Sequence, residues 1–234
     1  KIQYRGVRKA INNDIRTLKL LLKLLNFVPK EVDLQEAFLE IKKMLITETD
    51  YKEEARNTME FRDLLKDEPD YFVPKVCDQY SNDKVITTEF LDGHSLHDID
   101  GLGLTQDERN SLGRSFIRLF FLELFIFEKV QTDAHFGNYL ILKEPSLKWG
   151  LLDFGATKHP SKEFIKNYQN LILALRDMDR EKFIKTIISM GYLSEKKVSD
   201  LDLFWEYANV VGAPFQEKEF EWGNNNISDQ IFEY

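Results

Sequence analysis

Gln131-Thr132-Asp133-Ala134-His135-Phe136-Gly137-Asn138, the apolar run Tyr139-Leu140-Ile141-Leu142, a polar turn, Trp149-Gly150-Leu151-Leu152 and then Asp153-Phe154-Gly155 form the stretch that decides how this chain is read. Two short runs of strand-forming residues around a polar turn predict a β-hairpin. That hairpin delivers Asp133, Asn138 and Asp153 to one end. Two carboxylates and an amide are all-oxygen donors, the set a magnesium ion accepts while keeping phosphate oxygens and water in its shell. In phosphoryl transfer a loop aspartate orients the attacking hydroxyl, while the Asp of Asp-Phe-Gly and a loop Asn five residues after the first Asp hold the metal. Each motif alone arises by chance in many chains. Their order here, with strand-like runs between them and a long apolar helix before them, is far more specific.

Working outward, the N-terminal side supplies acids and a base in the order such a site requires. Lys1-Ile2-Gln3-Tyr4 reads as the end of a strand carrying a phosphate-binding lysine. A helix is expected from about Glu31 to Lys66, because Leu34, Phe38, Ile41, Leu45, Tyr51, Ala55 and Met59 recur at three- and four-residue spacing. Glu48, Asp50 and Glu54 fall in its middle, and Glu54 or Glu48 is the expected partner of Lys1. Tyr71 to Asp78 and Lys84 to Phe90 read as two strands joined by the turn Ser81-Asn82-Asp83. Glu89-Phe90-Leu91-Asp92-Gly93 then takes the position of a hinge whose backbone would meet an adenine edge.

The most apolar segment, Ser115 to Val130, is interrupted by Arg118, Glu123 and Glu128. Its apolar runs fall far short of the roughly 18–20 residues a membrane span needs. It is expected to be the buried spine of a domain, started by a capping box at Thr105-x-x-Glu108 and ending in Gln131-Thr132-Asp133. Beyond Gly155 the chain has only Ala156 to His159 before Pro160-Ser161 opens a helix carrying Phe164, Tyr168, Leu171, Ile172 and Leu175 on one face. Helices at Arg180–Met190, closed by Gly191, and Ser194–Val211 follow, with Phe204, Trp205 and Phe215 as core residues. So short a stretch after Asp-Phe-Gly leaves no room for a peptide-docking segment, which points to a small molecule, a lipid or water as acceptor rather than a protein.

Lys1-Ile2-Gln3-Tyr4-x-Gly6-Val7, Glu48-x-Asp50-Tyr51-x-x-Glu54-Ala55, Phe61-Arg62-Asp63-Leu64-Leu65-Lys66, Val73-Pro74-Lys75-Val76, Ile86-Thr87-Thr88-Glu89, Gln131-Thr132-Asp133 and Leu151-Leu152-Asp153-Phe154-Gly155-Ala156-Thr157 resemble the UbiB family of atypical kinases. The resemblance runs from the first residue to about Gly212. Gln-Thr before the loop aspartate is closer to the branch that supports coenzyme Q biosynthesis. Ala134-His135-Phe136-Gly137 departs from that branch's Pro-Asn-Trp and is nearer the Pro-His-Pro-Gly of others.

The resemblance implies an α+β, protein-kinase-like two-lobed fold, with an incomplete small lobe over residues 1–91 and a mainly helical large lobe over 92–234. It implies ATP and Mg²⁺ as cofactors and a role in ubiquinone or isoprenoid-quinone biosynthesis. Lys1 would contact the phosphates, Glu54 or Glu48 would restrain Lys1, and Asp133 would orient the acceptor. Asn138 and Asp153 would hold the metal, and Glu89, Phe90 and Leu91 would line the base. The family's upstream helix and nucleotide loop precede the lysine strand, so the chain reads as a piece truncated at both ends, expected to be inactive by itself.

Composition is that of a packed domain: 234 residues, 43% hydrophobic and 31% charged. A net charge of −8 argues against nucleic acid as partner, since phosphate-backbone binding needs a basic surface. The single cysteine, Cys77, leaves no internal disulfide and fits a reducing compartment; the resemblance implies the cytoplasm or the mitochondrial matrix, with peripheral association with an inner membrane or a quinone-biosynthesis complex. His135 is expected to bond backbone within its loop. Two other readings stay open at this point: a small-molecule phosphotransferase of the aminoglycoside or choline kinase type, and a nucleotide-binding scaffold without turnover.

Overall fold

A computed structural model of the chain describes residues 1–24, 35–133, 135–193, 198–222 and 227. The expected helix start at Glu31, Leu34, the expected helix start at Ser194, and the polar residues 223–226 lie outside these. Two compact units are formed, Lys1–His159 and Pro160–Tyr234. Residue 91, the expected lobe boundary, falls inside the first.

In the first unit, α1 (Val7–Leu24) packs on α2 (Gln35–Thr47) through Ile11, Ile15 and Phe38. The helix expected through Lys66 is instead broken. Thr49 is buried and its hydroxyl donates to the Ile46 carbonyl, and Asp50 caps a new helix, α3 (Tyr51–Leu64), by accepting from the Glu53 N–H. The expected apolar face changes accordingly. Phe38 and Tyr51 are buried, whereas Ile41 and Met59 are exposed. The buried side of α3 is Tyr51, Glu54, Asn57, Thr58 and Phe61, three of them polar.

The strands expected at 71–78 and 84–90 shrink to β1 (Tyr71–Phe72) and isolated bridges, Val76 with Thr88 and Asn82 with Val85. Pro74, which has no N–H, ends the possibility of a continuous ladder. The Asn82 turn forms as expected, its side-chain oxygen accepting from the N–H groups of Lys84 and Val85. Ile2 bridges Val85, so the chain start joins this edge.

β2 (His94–Ser95) leads through a short 3₁₀ segment to Thr105, whose hydroxyl and backbone form the expected reciprocal cap with Glu108. α4 (Gln106–Phe121) follows, and at Leu122–Ile126 the helix widens into a π-type turn. Leu112, Leu119 and Leu124 are buried, but Ile117, Phe120 and Ile126 are exposed, so the spine is buried on one side only. β3 (Val130–Gln131), β4 (Tyr139–Leu142) and β5 (Lys148–Leu151) come next, and β6 (Thr157–Lys158) returns to pair with β3. β4 and β5 form the expected antiparallel hairpin inside a four-stranded sheet of order β1-β5-β4-β2, with β1 parallel to β5. Phe61, Tyr71, Leu112, Leu119, Ile141, Trp149 and Phe154 form the core beneath the hairpin.

In the second unit, Ser161 caps α5 (Lys162–Arg176), and α6 (Arg180–Ser189), followed by Gly191 at φ +80°, matches the helix expected at Arg180–Met190. Together with α7 (Val198–Gln216), these helices pack around Ala174, Leu175, Phe183, Ile187 and Ala208. Trp205 is against Phe183, while Phe204, expected in the core, is exposed.

Candidate active site

The β4–β5 hairpin positions the site because each of its ends holds one motif. The Leu152 N–H donates to the Asn138 carbonyl at 3.0 Å, which ties the loop before β4 to the segment after β5. Within the loop, the Asn138 side-chain NH₂ donates both to the Asp133 carbonyl (3.0 Å) and to its carboxylate (3.1 Å). That choice fixes the amide: its nitrogen is used on Asp133, so its oxygen is the group left to face a ligand. Asp133 is exposed. His135 accepts from the Gly137 N–H at 3.0 Å through Nδ1, the backbone role expected of it.

Lys1 bridges two acids. Its Nζ is 3.0 Å from both Glu54 oxygens and 2.8 Å from Asp153 Oδ2, and it is 5.4 Å from the Tyr51 ring centre. Partial burial alone would lower the pKa of this ammonium. The Asp153 hydrogen bond and the charges of Glu54 and Asp153 more than offset that and hold it above its usual value. Glu54 is 3% exposed, and burial followed by the Asp153 charge raises its carboxyl against the opposing pull of Lys1. Glu48 is not in the ion pair with Lys1. It is exposed, and its carboxyl is raised by desolvation and by the charges of Asp133 and Asp153. Two carboxylates, Glu54 and Asp153, therefore share Lys1, and Glu48 is coupled by charge to Lys1, Asp153 and Asp133.

The Asp153-Phe154-Gly155 backbone is held at each residue. Asp153 Oδ1 accepts from Gly155 N–H at 2.9 Å, and the carbonyls of Asp153, Phe154 and Ala156 accept from Gln131, Asn57 and Thr132. A Cβ on Gly155 would sit 3.2 Å from Asp153 Oδ1 and 3.6 Å from Glu54 Oε2, so a side chain here would press on the Asp153 carboxylate. Behind the loop, a small cavity is lined by Glu123, Gln131, Asn138, Tyr139 and Asp153. Glu123 accepts from the Gln131 N–H at 3.0 Å, and burial pushes its carboxyl up to about 7 against that bond. Gln131 Oε1 is buried there without a hydrogen-bond partner in the structure.

Of the hinge residues, Glu89 has its N–H on the Lys75 carbonyl and its carboxylate on the Lys75 N–H. Phe90 is 87% exposed, and Leu91 approaches Gly150. Contact with a base at this stretch would therefore fall to groups other than the Glu89 N–H.

Asn57 and Lys129 escaped the sequence reading, and Glu123 entered it only as an interruption of an apolar run. For Asn57 the one signal was polar residues at i, i+3 and i+4 of an otherwise apolar helix face, Glu54-Asn57-Thr58, which marks a face turned to a polar interior. Among the described residues no group of three or more His, Cys, Asp or Glu has the arrangement of a self-contained metal centre. Asp153 and the Asn138 oxygen nevertheless supply the hard oxygen donors that magnesium takes when phosphate completes its shell.

A family profile described as ABC1 atypical kinase-like domain matches residues 1–187. The atypical kinase COQ8, mitochondrial, of Saccharomyces cerevisiae is 30% identical over 235 residues, spanning 99% of this chain and 46% of that protein. The atypical kinase COQ8B, mitochondrial, of Rattus norvegicus is 33% identical, spanning 99% of this chain and 44% of its own length. The chain thus spans less than half the length of these curated relatives. A solved structure titled the complex structure of Rv3197-erythromycin from Mycobacterium tuberculosis superposes with a TM-score of 0.71 at 24% identity, covering 95% of this chain and 56% of that one. The fold is accordingly α+β and kinase-like, and the chain belongs to the UbiB family of atypical kinases.

Proposed function

We propose that this chain carries the nucleotide site of an atypical kinase or ATPase that binds ATP with Mg²⁺ and serves isoprenoid-quinone biosynthesis. The observation that carries the reading is the Lys1 ammonium held between Glu54 and Asp153, the arrangement that points a lysine at nucleotide phosphates. Asp153 and the Asn138 oxygen would hold the metal, which when bound supplies charge neutralisation for the phosphates. Asp133, exposed and steadied by Asn138, would orient an acceptor hydroxyl or water and take its proton. Glu89, Phe90 and Leu91 would border the base.

The acceptor is a small molecule or lipid of quinone-precursor type. Only β6 and the Ser161 cap separate Asp-Phe-Gly from α5, which supports an acceptor smaller than a folded peptide. The mitochondrial names of the relatives support a matrix setting with peripheral association to a membrane or quinone-biosynthesis complex. Among the described residues no helix is long and apolar enough to cross a membrane. Turnover of Mg-ATP by the full-length protein, with and without quinone-precursor lipid in vesicles, tests this. Hydrolysis or phosphate transfer abolished in Asp133→Asn is expected, and undiminished turnover in that variant would contradict the assignment.

A further inference from the structure

Lys129 is 2% exposed, yet it is a lysine with its ammonium inside the first unit. Burying an ammonium is unfavourable unless it is fully partnered. Here Nζ donates to Asn57 Oδ1 at 2.8 Å, pairs with the half-exposed Glu60 carboxylate, and lies 5.6 Å from the Phe61 ring centre. The Asn57 amide is used from both ends: its oxygen takes Lys129, and its nitrogen donates to the Phe154 carbonyl at 3.1 Å. Phe61 in turn stacks on Phe154 at 4.6 Å between ring centres. The residue before Lys129, Glu128, has φ +51°, a conformation that side-chain-bearing residues adopt at some strain. That turn reverses the chain between the π-type turn and β3, and the Lys129 N–H closes it on the Glu123 carbonyl at 3.0 Å.

We infer that Lys129 and Asn57 are positioning residues that lock the Asp153-Phe154-Gly155 segment to α3, and so hold Asp153 opposite Glu54 across Lys1. Asn57 is one helical turn from Glu54 on the same buried face, so a bond from Asn57 to Phe154 sets the spacing between the two acids that share the lysine. Lys129 orients that amide. With the ammonium on its oxygen, the amide has only one orientation, NH₂ toward Phe154, and Lys129 sits four residues before Asp133, so the same contact anchors the start of the catalytic loop. The inference rests on the kinase reading for its consequence, since a loosened Asp153 weakens metal-nucleotide binding.

The test uses Asn57→Asp in the full-length protein. A carboxylate keeps the acceptor for Lys129, so the buried cation stays partnered, but it has no donor for the Phe154 carbonyl. Positioning predicts faster amide exchange across residues 153–157 and Mg-ATP affinity weakened by about tenfold, while the unsatisfied Phe154 carbonyl lowers the unfolding midpoint on either reading. A merely structural role predicts neither the faster exchange nor the weaker affinity. Should Asn57→Asp fail to fold, the pair Lys129→Met/Glu60→Gln removes both charges together and carries the same expectation. Either folded variant with wild-type exchange at 153–157 overturns the inference. Asp153→Asn, run alongside, separates the two ideas. If it binds Mg-ATP as well as wild type, the kinase reading fails, whereas wild-type exchange in Asn57→Asp with binding lost in Asp153→Asn rejects the positioning role alone.

Discussion

Lys1 and Asp153, separated by 152 positions in the chain, meet with Nζ and Oδ2 2.8 Å apart. The contact joins the edge at Val85, where the first residues attach, to the end of the β4–β5 hairpin, and Glu54 closes it from α3. Every residue assigned a phosphate or metal role is within this triangle or hydrogen-bonded to the loop beside it. The charge balance of that triangle is the first thing that can be tested.

Replacing Lys1 by Met leaves the buried Glu54 carboxylate beside Asp153 with no cation between them. Removing one partner of a buried pair is strongly destabilising, and with Lys1 partly open to water the loss should be about 1–3 kcal/mol. Lys1→Met/Glu54→Gln should recover part of it. Urea unfolding of both variants measures the difference. A double variant no more stable than Lys1→Met would show that the Glu54 charge is not what Lys1 offsets.

Glu123 should make stability fall with rising pH. Burial raises its folded carboxyl from 4.5 to about 7, so below about pH 4 both folded and unfolded states hold the proton and the burial carries no ionisation penalty. As pH climbs from there toward 7 the unfolded chain releases its proton first, and stability drops by about 3 kcal/mol in all before levelling off. Glu123→Gln cannot ionise. Its unfolding free energy should gain on wild type steadily between about pH 5 and 7.5, and parallel pH curves would mean that Glu123 titrates normally.

Gly155→Ala places a methyl 3.2 Å from Asp153 Oδ1 in a segment otherwise held by three carbonyl bonds. The carboxylate is the freer of the two and should move. Mg-ATP affinity is then expected to fall about tenfold while the unfolding midpoint changes little. Calorimetric titration beside thermal unfolding separates the effects, and unchanged affinity would mean that Asp153 is not a ligand in the complex.

How much of this was legible in the residues depends on how local the cause is. The hairpin, the Thr105 cap, the Asn82 turn, the Ser161 start and the Gly191 stop were legible because each is decided within a few residues by strand-forming runs, a capping oxygen or a turn glycine. The break at Thr49-Asp50 was not, because Asp50 reads equally well as a helix-face acid and as a cap. The Asp50 carboxylate on the Glu53 N–H and the buried Thr49 hydroxyl on the Ile46 carbonyl decide it together. β1 was overextended because its partner, β5, lies almost eighty residues on, and pairing rather than propensity sets its length. At the site, Asp133, Asn138 and Asp153 were legible from spacing. The choice of Glu54 over Glu48 for Lys1 was not, since both acids sit within two turns and only the new helix start at Asp50 turns Glu54 inward. Lys129 was invisible because a lone lysine after an apolar run reads as solvated. Its burial follows from the left-handed turn at Glu128 and an acceptor on a distant helix.

The central claim is that Asp153 holds the metal and Asp133 does the chemistry, and titration of Mg-ATP into full-length wild type, Asp153→Asn and Asp133→Asn tests it most directly. Asp153→Asn removes the strong anionic ligand and should weaken Mg-dependent binding about a hundredfold. Asp133→Asn keeps its hydrogen bond with Asn138 in altered form and should bind nearly as wild type while losing turnover by about 10²-fold or more. Equal losses of affinity in the two variants, or binding of Mg-ATP by Asp153→Asn at wild-type strength, would contradict the account.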